Sequence, residues 1–293
     1  MKKIGLVVDE GADLPQEIIK KYEIEVLPFV LNWKEVENLP GENIFQKMRE
    51  VEKRGLETFP KTSQPSPKAF FDTFKKALEK FEKIICITIS SKLSGTYNSA
   101  CQAKNFLLPN EAERVFIIDS LNVSCGEGLL AIKALDLIEK GKEIKEIVEI
   151  LKKKTSEIQL RGILRDPKWL ESAGRISKKV ASFLRKMQKI GIKPMLGVKE
   201  GAVKAVGIKI RAKNPVQTLF KELKVQTRKE REKGRKIMVA ITHGDCKEMA
   251  EELKKEIEEN LPNTKVLYIN LLDKVVGAVT GPETLICSWI SDS

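Results

Sequence analysis

The sequence predicts an α/β protein of two domains, a doubly wound, largely parallel sheet followed by a second α/β domain with a mixed sheet. Three observations carry this. Between residues 3 and 158, short β-branched runs alternate with amphipathic stretches of helical length, the pattern of parallel strands joined by crossover helices. The turns after those strands repeatedly present Asp, Ser and Thr. From about Gln159 the texture changes to shorter strands, a hairpin signal and long helices rich in lysine. The expected domains are therefore 1–158 and 159–293, with no low-complexity linker between them.

Residues 3–8 are an apolar strand ending in Asp9-Glu10-Gly11. Asp13 stands three positions before Gln16, a capping-box spacing, with Pro15 in the first turn, so a helix is expected from there to Tyr22. Residues 25–31 return to strand, 32–41 are loop, and 44–53 form an amphipathic helix. Ser66-Pro67 is a strong helix start for 67–81, and it leaves Thr62 and Ser63 in a proline-stiffened loop just ahead. Residues 114–118 make a strand ending in Asp119-Ser120. Ser124-Cys125-Gly126 lead to a helix expected from 129 to 140, followed by another over 143–154. In the second half, 160–164 is a strand and 169–172 a short helix broken by Gly174-Arg175-Ile176-Ser177. A basic amphipathic helix covers 180–189, and a hairpin turns at Glu200-Gly201 between 194–198 and 202–210. Asn214-Pro215 opens a long helix; 236–242 and 265–269 are strands flanking a helix over 247–259. A last segment runs through Gly277 and Gly281-Pro282 to Trp289.

The chain is organised around residues 84–103, IICITISSKLSGTYNSACQA. Alternating Ile84, Ile85, Ile87 and Ile89 read as a strand buried on both faces. At Ser90 the character changes to a hydroxyl-rich turn, and helix-compatible residues follow from Asn98. A turn of this kind directs backbone N–H groups and hydroxyls over the carboxyl edge of a sheet, where helix starts favour negative charge and ligands bind. Gly and Ser also make plain turns easily, but Thr62-Ser63 and the Asp-Ser turns supply further hydroxyls. The pattern fits a cradle for a small anionic head group.

Composition narrows the function. The 293 residues include five cysteines, Cys86, Cys101, Cys125, Cys246 and Cys287. Their odd number and lack of C-x-x-C spacing fit reduced thiols in a cytoplasmic protein, with neither a disulfide framework nor a zinc site. No apolar run has membrane-spanning length, and no leader pattern opens the chain. The net charge of +12 is spread over helices laced with glutamate, and aromatics are only 6% of residues, so a nucleic-acid platform is not expected. A modest basic patch suits an acidic protein partner or transient contact with an anionic membrane. There is no G-x-S-x-G elbow, no phosphate loop and no G-x-G-x-x-G, and the single histidine, His243, lies far along the chain. Asp9 and Asp119 stand at strand ends where a metal could be held, and are read instead as making turns or bonding to loop amides. Many neutral hydroxyls without a base, metal or cofactor suit binding of a carboxylate or phosphate better than turnover.

Thr62-Ser63-Gln64-Pro65-Ser66 and Ser90-Ser91-Lys92-Leu93-Ser94-Gly95-Thr96-Tyr97-Asn98-Ser99-Ala100 resemble the two signature loops of the DegV family. Asp13-Leu14-Pro15, Asp119-Ser120, Gly174-Arg175-Ile176-Ser177, Lys193-Pro194, Gly201 and Arg211 support it, in the family's order over nearly the whole chain. The resemblance implies two α/β domains with a long-chain fatty acid bound between them. Its carboxylate would be held by hydroxyls carried over onto Thr62 and Ser94, with Ser63, Gly95 and Thr96 alongside. It further implies a non-catalytic carrier that presents the acid to a separate fatty acid kinase, with Arg175 as the partner-contacting arginine. The bound acid is then the only ligand, and no cofactor is implied. The chain departs from the family at Val279-Thr280-Gly281-Pro282-Glu283, where His-x-Gly-Pro-Gly is usual, and at Glu10 and Ala173. Val279 cannot donate a hydrogen bond. Glu283 beside a carboxylate would cost roughly 4 kcal/mol at ~4 Å and an effective dielectric of about 20. These departures leave open a different small anionic or neutral lipid-like ligand, or a hydrolase using Asp9 and the serines.

Overall fold

The computed structural model describes residues 2–190, 193–209 and 214–292; Arg211 lies outside them. Among the described residues, twelve strands follow in chain order. They are β1 (Lys2–Asp9), β2 (Glu25–Leu27), β3 (Val30–Asn32), β4 (Lys61–Ser63), β5 (Phe81–Thr88), β6 (Val115–Asp119), β7 (Gln159–Ile163), β8 (Lys193–Lys199), β9 (Ala202–Lys209), β10 (Lys236–His243), β11 (Thr264–Leu271) and β12 (Leu285–Asp292). The chain gathers into two compact units. The first comprises Met1–Val30, Ser63–Ile158 and Lys199–Ala202, the second Leu31–Thr62, Gln159–Val198 and Val203–Ser293. The segment 31–62 and the turn 199–202 are assigned by compactness away from their sequence neighbours. Strands β3 and β4, where the chain leaves and re-enters the first unit, pair as a two-stranded ribbon.

The first unit is built on a wholly parallel sheet in the order β2-β1-β5-β6. Ile84, Ile85, Cys86 and Ile87 of β5 are all fully buried, because helices cover both faces. On one face Phe70, Phe74 and Ala77 from the helix Pro67–Lys80, with Ala100 and Ala103 from the helix Thr96–Asn105, close over Val7, Ile84, Cys86 and Val115. The small alanines let that helix lie close to the sheet. Helices Cys125–Glu139 and Ile144–Lys154 complete the doubly wound layer. Ser66 caps Pro67–Lys80 by accepting from the Ala69 N–H, as the Ser-Pro signal predicts.

The second unit is built on a six-stranded mixed sheet in the order β11-β10-β12-β7-β8-β9. Strand β10 is parallel to β11 and antiparallel to β12, and β7 is antiparallel to both β12 and β8. Helices Pro215–Gln226 and Lys247–Asn260 supply Leu219, Leu223, Leu253 and Ile257 to its core, against Val239, Ile241, Cys287 and Trp289. Segment 31–62 joins this unit through the helix Ile44–Lys53. Its Phe45, fully buried, lies over two glycines: a Cβ on Gly277 would stand 2.4 Å from the Phe45 ring, and one on Gly244 3.1 Å from it. Among the described residues no helix is long and apolar enough to cross a membrane.

Four details differ from the sequence expectations. Asp13 does not cap a helix: it is left-handed (φ 49°), ends a short 3₁₀ turn, and its carboxylate accepts the Ser124 hydroxyl at 2.6 Å. The helix behind it starts at Gln16. The strand expected over 25–31 is split into β2 and β3. The helix after Ser124 begins at Cys125, four residues early. The last segment divides into a helix, Lys274–Thr280, capped by the Asp273 carboxylate, and β12, which lies between β10 and β7.

Candidate ligand site

The turn after β5 is fixed by two carboxylates at neighbouring strand ends. Asp9, fully buried at the end of β1, accepts from the Gly11 N–H at 3.0 Å and the Ile89 N–H at 2.8 Å. Asp119, at the end of β6, accepts from Ser91 N–H at 3.2 Å and Leu121 N–H at 3.0 Å. Both therefore bind loop amides, as the sequence suggests. Ser90 is structural: buried, it donates to the Gly201 carbonyl at 2.7 Å and accepts from the Lys92 N–H. Gly201 is held at φ +80°, and a Cβ there would meet the Ser90 Oγ at 2.6 Å. A side chain at position 201 is thus disfavoured twice, by conformation and by space.

Beyond Ser90 the hydroxyls have another arrangement. Ser94, half-buried, and Thr96, fully buried, stand 2.8 Å apart, oxygen to oxygen. One hydroxyl proton serves the bond between them, so the pair keeps one proton to donate elsewhere. Thr96 also opens an α-helix, whose first amides have no intrahelical partner. Gly95 lies under Gln64, whose amide nitrogen would be 2.6 Å from a Cβ at that position. That contact brings the two sequence-predicted loops together within the first unit. The paired hydroxyls and a helix start make a neutral, donor-rich edge suited to an oxyanion.

The other predicted residues are placed as follows. Ser63, exposed, closes β4 just before Gln64; Thr62, half-buried, is its neighbour in β4 and belongs to the second unit. In the Gly-Arg-Ile-Ser run, Gly174 is left-handed at φ +70° and ends the helix Lys168–Ser172. Ile176 is buried in an apolar cluster, and Ser177 caps the helix Lys178–Lys189. Arg175 is exposed, as are Gly174 and Ser177, and its guanidinium donates to the Ala173 carbonyl at 2.6 Å. Glu171, four residues earlier, pairs with Arg185 instead, at 2.5 Å.

The carboxyl-terminal departures have local explanations within the second unit. Val279 packs against the cluster of Leu164, Leu170, Ile176, Ala181, Leu184 and Leu196. Glu283 is paired with Arg165 at 3.0 Å, and Arg165 also binds Glu52. Its charge is thus offset, which removes the isolated repulsion that the sequence raises. Gln64 and the Asp13–Ser124 bond escape sequence reasoning, because both act through partners distant in the chain. The only hint was that Gln64 sits inside a signature loop.

One unit on a parallel doubly wound sheet with a pinned, hydroxyl-bearing turn and another on a mixed sheet define a two-domain α/β protein. The chain belongs to the DegV family: the model of that family, described as an uncharacterised protein family, matches residues 3–292. A DegV domain-containing protein of Clostridium acetobutylicum is 40% identical over 213 residues, 72% of this chain and 73% of that one. A Thermotoga maritima protein described as a fatty acid-binding protein is 29% identical over 97% of this chain and 96% of its own. Among solved structures, that of a DegV family protein from Thermus thermophilus, described by its fatty acid binding, aligns with TM-score 0.81 and 27% identity. It covers 99% of this chain and 100% of its own.

Proposed function

We propose that this protein is a carrier of long-chain fatty acid, with the carboxylate held by Thr62 and Ser94, Ser63, Gly95 and Thr96 alongside, and domains dividing near residue 158. The observation that carries the reading is the Ser94–Thr96 pair, 2.8 Å apart on a turn fixed by Asp9 and Asp119. It offers a hydroxyl proton to an oxyanion, which suits stoichiometric binding. The fatty acid binding of two relatives supports the choice of ligand. Each methylene taken out of water contributes about 0.8 kcal/mol, so the tail supplies most of the affinity.

By the same reading the bound acid is presented to a fatty acid kinase, and Arg175, exposed and with no acidic partner among the described residues, contacts it. Membrane contact is assigned to the helix Lys178–Lys189, which contains five basic residues and no acid. Ala181 and Leu184 face its core, while Val180 and Phe183 are 39% and 48% exposed and Ile190 beyond it 70%. An apolar strip flanked by lysines fits an anionic lipid surface. Phe183→Asp should abolish co-flotation with phosphatidylglycerol vesicles; unchanged flotation would remove this helix from the contact.

Native mass spectrometry of freshly purified protein tests the central reading. A stoichiometric increment that extracts as a C14–C18 acid is expected. Thr62→Val combined with Ser94→Ala should remove the increment and leave the unfolding free energy within about 0.5 kcal/mol of the parent. Arg175→Ala should keep the acid and lose its phosphorylation by added fatty acid kinase. Full acyl retention in the double variant would overturn the site, and an empty wild-type protein that stays empty with added acid would overturn the function.

A further inference from the structure

Gln64 carries an amide that the first unit positions but does not bond. Ser63 ends β4, Pro65 is buried and Ser66 caps the next helix, so the backbone of Gln64 is held on both sides. Its side chain reaches Gly95, between Ser94 and Thr96. A Cβ on Gly95 would stand 2.6 Å from the amide nitrogen, 3.1 Å from Cδ and 3.4 Å from Oε1. Gly95 has φ −76° and ψ 6°, a conformation that residues with side chains adopt. Backbone geometry therefore does not demand glycine there; the space taken by the Gln64 amide does.

A purely structural role would show as a hydrogen bond. Among the described residues Gln64 makes none: its amide accepts nothing from the opening amides of the helix Thr96–Asn105, which has no side-chain cap at Gly95. The residue is exposed, so its two N–H donors are open to a ligand. Beside it the Ser94 and Thr96 hydroxyls, 2.8 Å apart, keep one proton to donate. A carboxylate accepts several hydrogen bonds, and an amide N–H next to that hydroxyl supplies a second one. Lys92, exposed in the same turn and without an acidic partner among the described residues, adds a charge that favours an anion.

We infer that the Gln64 amide donates to the ligand's head group and makes the site select a carboxylate over a neutral polar group. The inference rests on the fatty-acid reading, which the wild-type protein tests on its own. The experiment is titration of delipidated wild-type and variant proteins with palmitate and with 1-hexadecanol, the same chain under a neutral head. Gln64→Glu keeps the shape of the side chain and exchanges two donors for a charged acceptor. It should weaken palmitate binding about thirtyfold at low salt, and less at high salt. Hexadecanol should stay within about threefold, because its hydroxyl can donate to the new carboxylate. Gln64→Ala should weaken palmitate binding about fivefold. Gly95→Ala drives a methyl onto the amide nitrogen and should weaken it by a similar factor, and the two alanines together should cost no more than one. Wild-type palmitate affinity in a folded Gln64→Glu protein would overturn the inference. So would an equal loss of acid and alcohol, which would mean that the side chain acts by packing. Losses that multiply in the double alanine variant would also overturn it, since the two positions would then act independently. A wild-type protein that takes up no palmitate overturns the reading itself.

Discussion

Two strand–turn–helix corners, one in each unit, are held by different means. After β5 the turn is fixed by buried carboxylates that collect its amides, Asp9 on Ile89 and Asp119 on Ser91. After β10 the turn 243–246 is fixed by close packing and charge. Its Gly244 N–H donates to the Thr284 carbonyl at 2.7 Å and its carbonyl accepts from Glu283 N–H at 2.7 Å. The Phe45 ring presses on Gly244, and Arg49 binds Asp245 at 2.5 Å. Even His243, held by burial below the usual imidazole range, accepts from Cys246 N–H at Nδ1. In the first corner carboxylates satisfy the backbone, so side-chain hydroxyls downstream stay available. In the second, backbone bonds to residues 283 and 284, the Phe45 ring and the Arg49–Asp245 pair hold the turn together.

The largest effect should come from breaking the first kind of anchor. Asp9→Ala strands two amide donors at a site with no water access and should cost roughly 3 kcal/mol or more. Urea unfolding would read this as a lowered midpoint at unchanged slope. A loss under about 1 kcal/mol would show that the turn does not depend on Asp9. The packing anchor should yield less. Gly277→Ala drives a methyl into the Phe45 ring and should cost about 1–3 kcal/mol, recovered in part by Phe45→Leu in the double variant. Independent, additive costs would mean that the glycine and the ring do not meet.

The first corner was far more legible than the second, and the reason is range. Strand β5, its hydroxyl turn and the Ser66 cap are specified by neighbours in sequence, so the pattern of residues 84–103 identifies them. Asp13 shows where local reading fails. Its spacing to Gln16 is that of a helix cap, but a hydroxyl 111 residues away claims the carboxylate. Glu171 and Arg175 likewise have ion-pair spacing, and Arg185 takes the pair instead. The helix Lys274–Thr280 reads Val-Val-Gly-Ala-Val, poor in helix preference, and only the Asp273 cap and its packing beneath Phe45 make it helical. Nothing local announces that residues 31–62 group with the second unit, since the ties are to residues distant in the chain: the Phe45 ring over two glycines, Arg49 on Asp245, and Glu52 on Arg165 and Lys168. Of the predicted site, the structure brings Ser94, Gly95 and Thr96 together with Gln64; Thr62 and Ser63 are fixed only by their strand.

The smallest and most selective effect should separate the two corners by pH. Glu52 lies at the second unit's ion-pair cluster, bound by Lys168 at 2.9 Å and by Arg165, which also holds Glu283. Burial pushes its carboxyl up, but the bonds to Lys168 and Arg165 outweigh burial and leave it below the ordinary glutamate value. A carboxylate depressed on folding adds stability that is complete above its unfolded value and disappears as pH falls through the folded one. Glu52→Gln should therefore cost about 1 kcal/mol near neutrality, a modest sum because the pair is partly solvated. The difference from wild type should shrink to nothing below the folded value, and high salt should shrink it at any pH. Ser94→Ala, which removes a neutral hydroxyl, should show a stability difference independent of both pH and salt. A pH-independent Glu52→Gln difference would mean that the cluster acts through packing rather than through charge.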